Sequence, residues 1–102
     1  MALEHSIEQG ILRVRGEVDL SNADELIQAI HDASRGGNEV EIDLSELRFI
    51  DSSGLHAIRR AAASANCGPI VLVDVPSRFL RIIEIVGLDR TRSVRLRGGA
   101  RG

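Results

Sequence analysis

The chain has 102 residues, 43% of them hydrophobic and 27% charged, a length that holds one domain around one core. Its basic residues are all arginine, 13 against 15 acidic residues, for a formal charge of −2. That balance lacks the basic excess of a nucleic-acid binder, and the absence of lysine removes Schiff-base and P-loop lysine chemistry. Phe49 and Phe79 are the only aromatic residues, which argues against base-stacking platforms and aromatic cages, and the single Cys67 forms no internal disulfide. With no leader pattern and no apolar run of membrane-spanning length, a cytoplasmic protein is expected.

In chain order, Leu3, His5 and Ile7 alternate with polar residues and predict a first strand that ends at Gln9-Gly10. Leu12, Val14, Gly16 and Val18 alternate with charged residues and predict a second strand, joined to the first as a hairpin. Ser21 or Asn22 can cap a helix over 23–35 whose apolar positions are Ala23, Leu26, Ile27, Ile30 and Ala33 or Ser34, with Gly36-Gly37 as its stop. Val40, Ile42 and Leu44 predict the next strand. A link through Ser45-Glu46-Leu47-Arg48 then leads to Phe49-Ile50 and to a helix over 54–66, stopped by Cys67-Gly68-Pro69.

Ile70-Val71-Leu72-Val73 reads as a strand buried on both faces. Pro76 opens a helix over 77–86 that Gly87 ends, and Val94 and Leu96 predict a last edge strand. The order is β-β-α-β-α-β-α-β: a mixed sheet of about five strands with helices mainly on one face. Residues 1–97 form the predicted domain, and 98–102, which lack an anchoring side chain, a disordered tail. No heptad or long apolar surface stripe remains, so a monomer is expected.

The most unusual stretch is Asp51-Ser52-Ser53-Gly54, placed where a helix begins. Asp51 or Ser52 can serve as an N-cap, a role that needs one residue. Two hydroxyls and a glycine exceed that need, and a phosphate at a helix start meets the positive end of the helix dipole, so a modification or ligand site is the second reading. Ser52, His56 and Asp51 do not form a hydrolase signature, because Gly-x-Ser-x-Gly is absent and Ser52 and His56 lie one helical turn apart. His5, His31, His56 and Cys67 lack zinc-ligand spacing, so neither metal nor cofactor is expected. Arg90 to Arg97 reads as a solvated face, with an acidic partner surface as the alternative.

Gly16-Glu17-Val18-Asp19, Val40-Glu41-Ile42-Asp43-Leu44-Ser45 and Phe49-Ile50-Asp51-Ser52-Ser53-Gly54-Leu55, followed by Val71-Leu72-Val73 and Val86-Gly87-Leu88, resemble the STAS domain family. The likeness is strongest to its small, free-standing bacterial anti-sigma factor antagonists and runs from about Leu3 to Leu96. The resemblance implies a STAS fold and a binding module that is not an enzyme. It implies phosphorylation at Ser52 by a partner anti-sigma factor, a serine kinase of histidine-kinase-like ATPase fold. The unmodified form would bind this partner and release the sigma factor. Phosphorylation would end binding, and a serine phosphatase would reset the switch. The implied partner face comprises Asp19, Asp51, Ser52, Ser53, Gly54 and His56, the last where related antagonists often carry a small residue. The alternative within the family is a STAS subunit of a lipid-transport ATPase, or a signalling scaffold, without a phosphorylation cycle.

Overall fold

A computed structural model describes residues 2–35 and 37–98. The strands are β1 (Leu3–Glu8), β2 (Ile11–Val18), β3 (Val40–Asp43), β4 (Leu47–Ile50), β5 (Ile70–Val73) and β6 (Val94–Arg97). The helices are α1 (Ala23–Ser34), α2 (Ser52–Ala62) and α3 (Leu80–Val86). Short 3-10 turns at Ser77–Phe79 and Leu88–Arg90 flank α3. The sheet is mixed. β1 pairs antiparallel with β2, while β2–β3, β2–β4, β3–β5 and β5–β6 are parallel, as strands joined through helices should be.

The β1–β2 hairpin follows from its two turn residues. Gln9 and Gly10 both have positive φ, 54° and 79°, and Glu8 pairs with Ile11 across them. This is the type I′ geometry whose twist matches that of the paired strands. Leu12, Val14, Val40, Ile42, Ile70, Leu72 and Val94 project from one sheet face into a single cluster. Leu26 and Ile30 of α1, Leu55 and Ile58 of α2 and Ile83 of α3 close over them. The mixed sheet with helices on one face is therefore the architecture the sequence pattern predicts.

The other face carries Arg13, Glu41, Asp43, Arg95 and Arg97. Arg13 pairs with Asp43 at 3.9 Å, Arg95 with Glu39 at 3.6 Å, and Arg97 with Glu41. Val71 lies between Glu41 and Arg95 in register and is only 3% exposed. The Arg97–Glu41 pair reaches from β6 to β3 over β5, so the face of β5 turned away from the helices is covered by paired charged side chains. This accounts for its uninterrupted apolar run.

The structure corrects the sequence reading in four places. The described residues hold six strands, where about five were expected. The expected link at 45–48 contains the start of β4, which pairs with the second half of β2 after β3 has paired with the first. Gly16 faces Leu47 and Glu17 faces Phe49, so Arg48 is an extra residue in a bulge. Both Leu47 and Ile50 then point inward, and Phe49 between them is 42% exposed. Gly16 has φ 93°, and a Cβ there would stand 2.4 Å from the Ala2 carbonyl oxygen, so this passage of the chain requires glycine.

Second, α1 ends at Ser34 with Arg35 in the left-handed region (φ 40°), one residue before its expected end; Gly36 lies outside the described residues. Third, α2 starts at Ser52 and ends at Ala62, where 54–66 was expected. The residues after it pack their backbone against the α1–β3 connection. Gly68 N–H donates to Ser34 Oγ at 3.0 Å, and a Cβ on Gly68 would meet the Gly37 and Asn38 carbonyl oxygens at 2.3 Å. Burial here pushes the Cys67 thiol pKa up, opposed by the nearby Ser34 hydroxyl. Fourth, the third helix is a 3-10 turn running into α3, and Gly87 ends it at φ 85° as expected. Apart from Gly98, the predicted tail lies outside the described residues.

Candidate functional site

Ile50 is the last inward residue of β4, and Asp51 continues in extended conformation (φ −103°, ψ −174°) as the N-cap of α2. Its carboxylate Oδ1 accepts the Gly54 N–H at 3.2 Å and its carbonyl accepts the Leu55 N–H at 3.2 Å. Asp51 thus fills the capping role that the sequence left open between it and Ser52. Ser52, the first helical residue, is exposed and Ser53 is half-buried. Among the described residues no hydrogen bond engages the Ser52 hydroxyl. Arg59 and Arg60 in the last turn complement the negative end of the helix dipole.

Gly54 was expected on the partner face but is buried. A Cβ at this position would lie 2.6 Å from Ile50 Cγ1 and 2.7 Å from Val18 Cγ1. Glycine lets the first turn of α2 settle on the ends of β2 and β4, so Gly54 shapes the site from beneath and does not present a contact surface.

Asp19 follows the last residue of β2 just as Asp51 follows the last residue of β4. The strand ends are tied by the Asp51 N–H to Val18 carbonyl bond at 3.2 Å, which brings the two acidic residues to one end of the sheet. The turn after β2 is built from side chains. Asp19 Oδ1 accepts from the Ser21 N–H at 2.8 Å and from the Ser21 hydroxyl. Asn22 Oδ1 accepts the Asp19 N–H at 3.0 Å, and Asn22 Nδ2 donates to the Glu17 carbonyl at 3.0 Å. Asn22 occupies the N-cap position of α1 as expected, but its side chain is turned back to this turn and makes no cap bond. The Ser21 hydroxyl, then the Ser21 N–H, hold the Asp19 carboxyl below the usual carboxylate range.

Two residues of this surface carry no signal in the sequence reading. Leu20 stands at the tip of the Asp19 turn and is 80% exposed. Its mark in the sequence is an apolar residue outside the strand alternation, flanked by turn formers. Arg59 reaches from α2 to α3: its guanidinium donates to the Val86 carbonyl at 3.0 Å and to His56 Nδ1 at 2.9 Å. His56 is exposed one turn beyond Ser52, as the spacing requires. Asp51 serves Gly54 and His56 serves Arg59, so these two side chains are not aligned on Ser52 as an orienting acid and a base. Among the described residues no group of three or more His, Cys, Asp or Glu is placed to hold a metal ion. No described helix is long and apolar enough to cross a membrane.

Comparison with solved structures supports the fold assignment. An anti-sigma factor antagonist from Mycobacterium paratuberculosis superposes with a TM-score of 0.69 at 26% identity, over 92% of this chain and 84% of that one. The protein TM1081 gives 0.71 at 22% identity, over 96% and 82%. The anti-sigma factor antagonist SpoIIAA in its unphosphorylated form gives 0.64 at 19% identity, over 96% and 88%; at such identity these last two likenesses concern the fold. The family model described as "Mlab, STAS domain" matches residues 1–98. Together with the six-stranded mixed sheet, its helical layer and the Asp51-capped start of α2, this match establishes that the chain belongs to the STAS domain family.

Proposed function

We propose that this protein is an anti-sigma factor antagonist whose affinity for its partner is switched by phosphorylation of Ser52. The observation that carries the reading is the division of labour at the start of α2: Asp51 caps the helix and Ser52 stands exposed beside it. The 26% identical antagonist from Mycobacterium paratuberculosis supports the general role. The proposed partner face is Asp19, Asp51, Ser52, Ser53 and His56, with Gly54 beneath it and Leu20 at its margin. The partner is an anti-sigma factor serine kinase of histidine-kinase-like ATPase fold, and a serine phosphatase removes the phosphate.

The chemistry of the switch follows from charge. A phosphate on Ser52 adds about −1.5 to −2 charges next to Asp51. Within the chain the helix dipole favours it by roughly 0.3–1 kcal/mol, so the fold tolerates the modification. In a desolvated interface the same charge is costly unless a cation faces it. A difference of about 2.8 kcal/mol weakens binding a hundredfold, so the effect falls on the complex.

The test is incubation with each histidine-kinase-like ATPase of the same genome and ATP. Site-mapped mass spectrometry and a binding assay are then run before and after phosphorylation. Phosphate on Ser52 with loss of binding supports the proposal. If none of these ATPases binds or modifies the chain, the scaffold or transport-ATPase subunit becomes the better reading.

A further inference from the structure

His56 has no part in the cap, the core or the Asp19 turn, yet its ring is held in place. Ser52 and His56 are four residues apart on the exposed side of α2, so their side chains are neighbours on one helix face. Arg59, three residues further on, is anchored at the end of α3 by its 3.0 Å bond to the Val86 carbonyl. Its second nitrogen lies 2.9 Å from His56 Nδ1. A guanidinium has five N–H donors and accepts nothing, so Nδ1 is the acceptor and the neutral ring carries its proton on Nε2. The two ring nitrogens face opposite sides. With Nδ1 engaged by Arg59, the Nε2–H is the ring's remaining donor, on an exposed residue one helical turn from Ser52.

We propose that His56 is a positioning residue for the modified state, donating its Nε2–H to a phosphate on Ser52 while Arg59 fixes the ring's tautomer and direction. The inference rests on the reading of Ser52 as the phosphosite and adds the group that receives the phosphate within the chain. A hydrogen bond to a phosphoryl oxygen is charge-assisted, and each one removes an acceptor that a partner could otherwise engage. Asp51 beside Ser52, and Asp19 on the adjoining turn, supply only negative charge there. Arg59 is held at Val86 and His56, and the His56 Nε2–H is a side-chain donor one turn from Ser52, adding to the positive end of the helix dipole.

The experiment needs no kinase. Phosphoserine is installed at position 52 by genetic code expansion, and the phosphate is titrated by phosphorus NMR through its second pKa, ordinarily about 6. Loss of the donor in His56→Ala should raise that pKa by about 0.2–0.4 unit, the size of a helix i,i+4 pair. His56→Gln, which keeps an N–H donor, should recover most of the shift, and the His56 ring resonances should move when Ser52 carries phosphate. An unchanged titration in His56→Ala, ring resonances indifferent to phosphorylation, or a shift that glutamine does not recover would each overturn the proposal. Whether a kinase selects Ser52 is read separately by mass spectrometry, so failure of the phosphosite reading and failure of the His56 role are distinguishable.

Discussion

The Asp51 N–H donates to the Val18 carbonyl at 3.2 Å, and this bond joins the two strand ends from which the candidate site emerges. On one side the chain turns through Asp19 into α1, and on the other it turns through Asp51 into α2. The bond exists because β4 pairs with the second half of β2, which in turn needs the bulge at Arg48 and the backbone of Gly16. The position of Ser52 relative to Asp19 is therefore set by sheet register, and substitutions beneath the site should act through that register.

Gly54→Ala tests the seating of α2. The added methyl falls 2.6–2.9 Å from side-chain atoms of Ile50 and Val18, both buried. Overpacking of this kind costs about 1–3 kcal/mol. Urea unfolding should show a lower midpoint with an unchanged slope. A midpoint equal to that of the unaltered chain would show that α2 can shift without loss.

Asp51→Ala tests the cap. Its carboxylate accepts the Gly54 N–H, and removal of an N-cap oxygen costs about 0.5–2 kcal/mol. Asp51→Ser, which restores a capping oxygen, should regain most of that loss. Equal destabilisation by alanine and serine would mean that Asp51 stabilises α2 by its charge and not by its hydrogen bond.

Asp19 makes part of the stability depend on pH. Its folded pKa lies below the ordinary 3.8, chiefly because the Ser21 hydroxyl, and then the Ser21 N–H, donate to the carboxylate. As pH falls, the unfolded chain takes the proton first. The contribution is complete above 3.8 and is lost as pH drops through the lower folded value. Asp19→Asn should lower the urea midpoint near neutral pH, and the gap should narrow in acid. A gap of the same size at both pH values would place the effect in the turn's geometry and not in its charge.

Much of this was legible in the sequence because the relevant signals are local. Strict alternation in Leu12-Val14 and Val40-Ile42 marked β2 and β3, Gln9-Gly10 marked the hairpin, and Asp51-Ser52-Ser53-Gly54 marked a helix start. β4 was missed because its bulge breaks the strand period: Leu47 and Ile50 are both buried three residues apart, a spacing that the two-residue alternation of a strand does not give. The end of α2 was misplaced because Ala63 and Ala65 favour helix, whereas the close approach of Gly68 to Gly37 and Asn38 is a tertiary constraint. Ser52 could be singled out locally. The Asp51–Val18 bond and the Arg59 bridge to Val86 join segments distant in the chain, and no local pattern encodes them.

The two adjacent hydroxyls are separated by single substitutions. Ser52→Ala removes an exposed hydroxyl at a position whose helix is already capped by Asp51, so unfolding free energy should change by less than about 0.5 kcal/mol. With the partner kinase and ATP, this variant should take up no phosphate and remain in the complex, whereas Ser53→Ala, altered at the half-buried neighbour, should still accept one phosphate. Ser52→Asp should weaken binding by less than phosphate does, since a carboxylate brings one charge and fewer acceptor oxygens. Site-mapped mass spectrometry and a dissociation constant for each variant check these outcomes. Phosphate on Ser53 in the unaltered chain, or full phosphorylation of Ser52→Ala, would transfer the switch to the neighbouring residue. Its half-buried side chain would then have to turn outward from the first turn of α2 to reach the kinase.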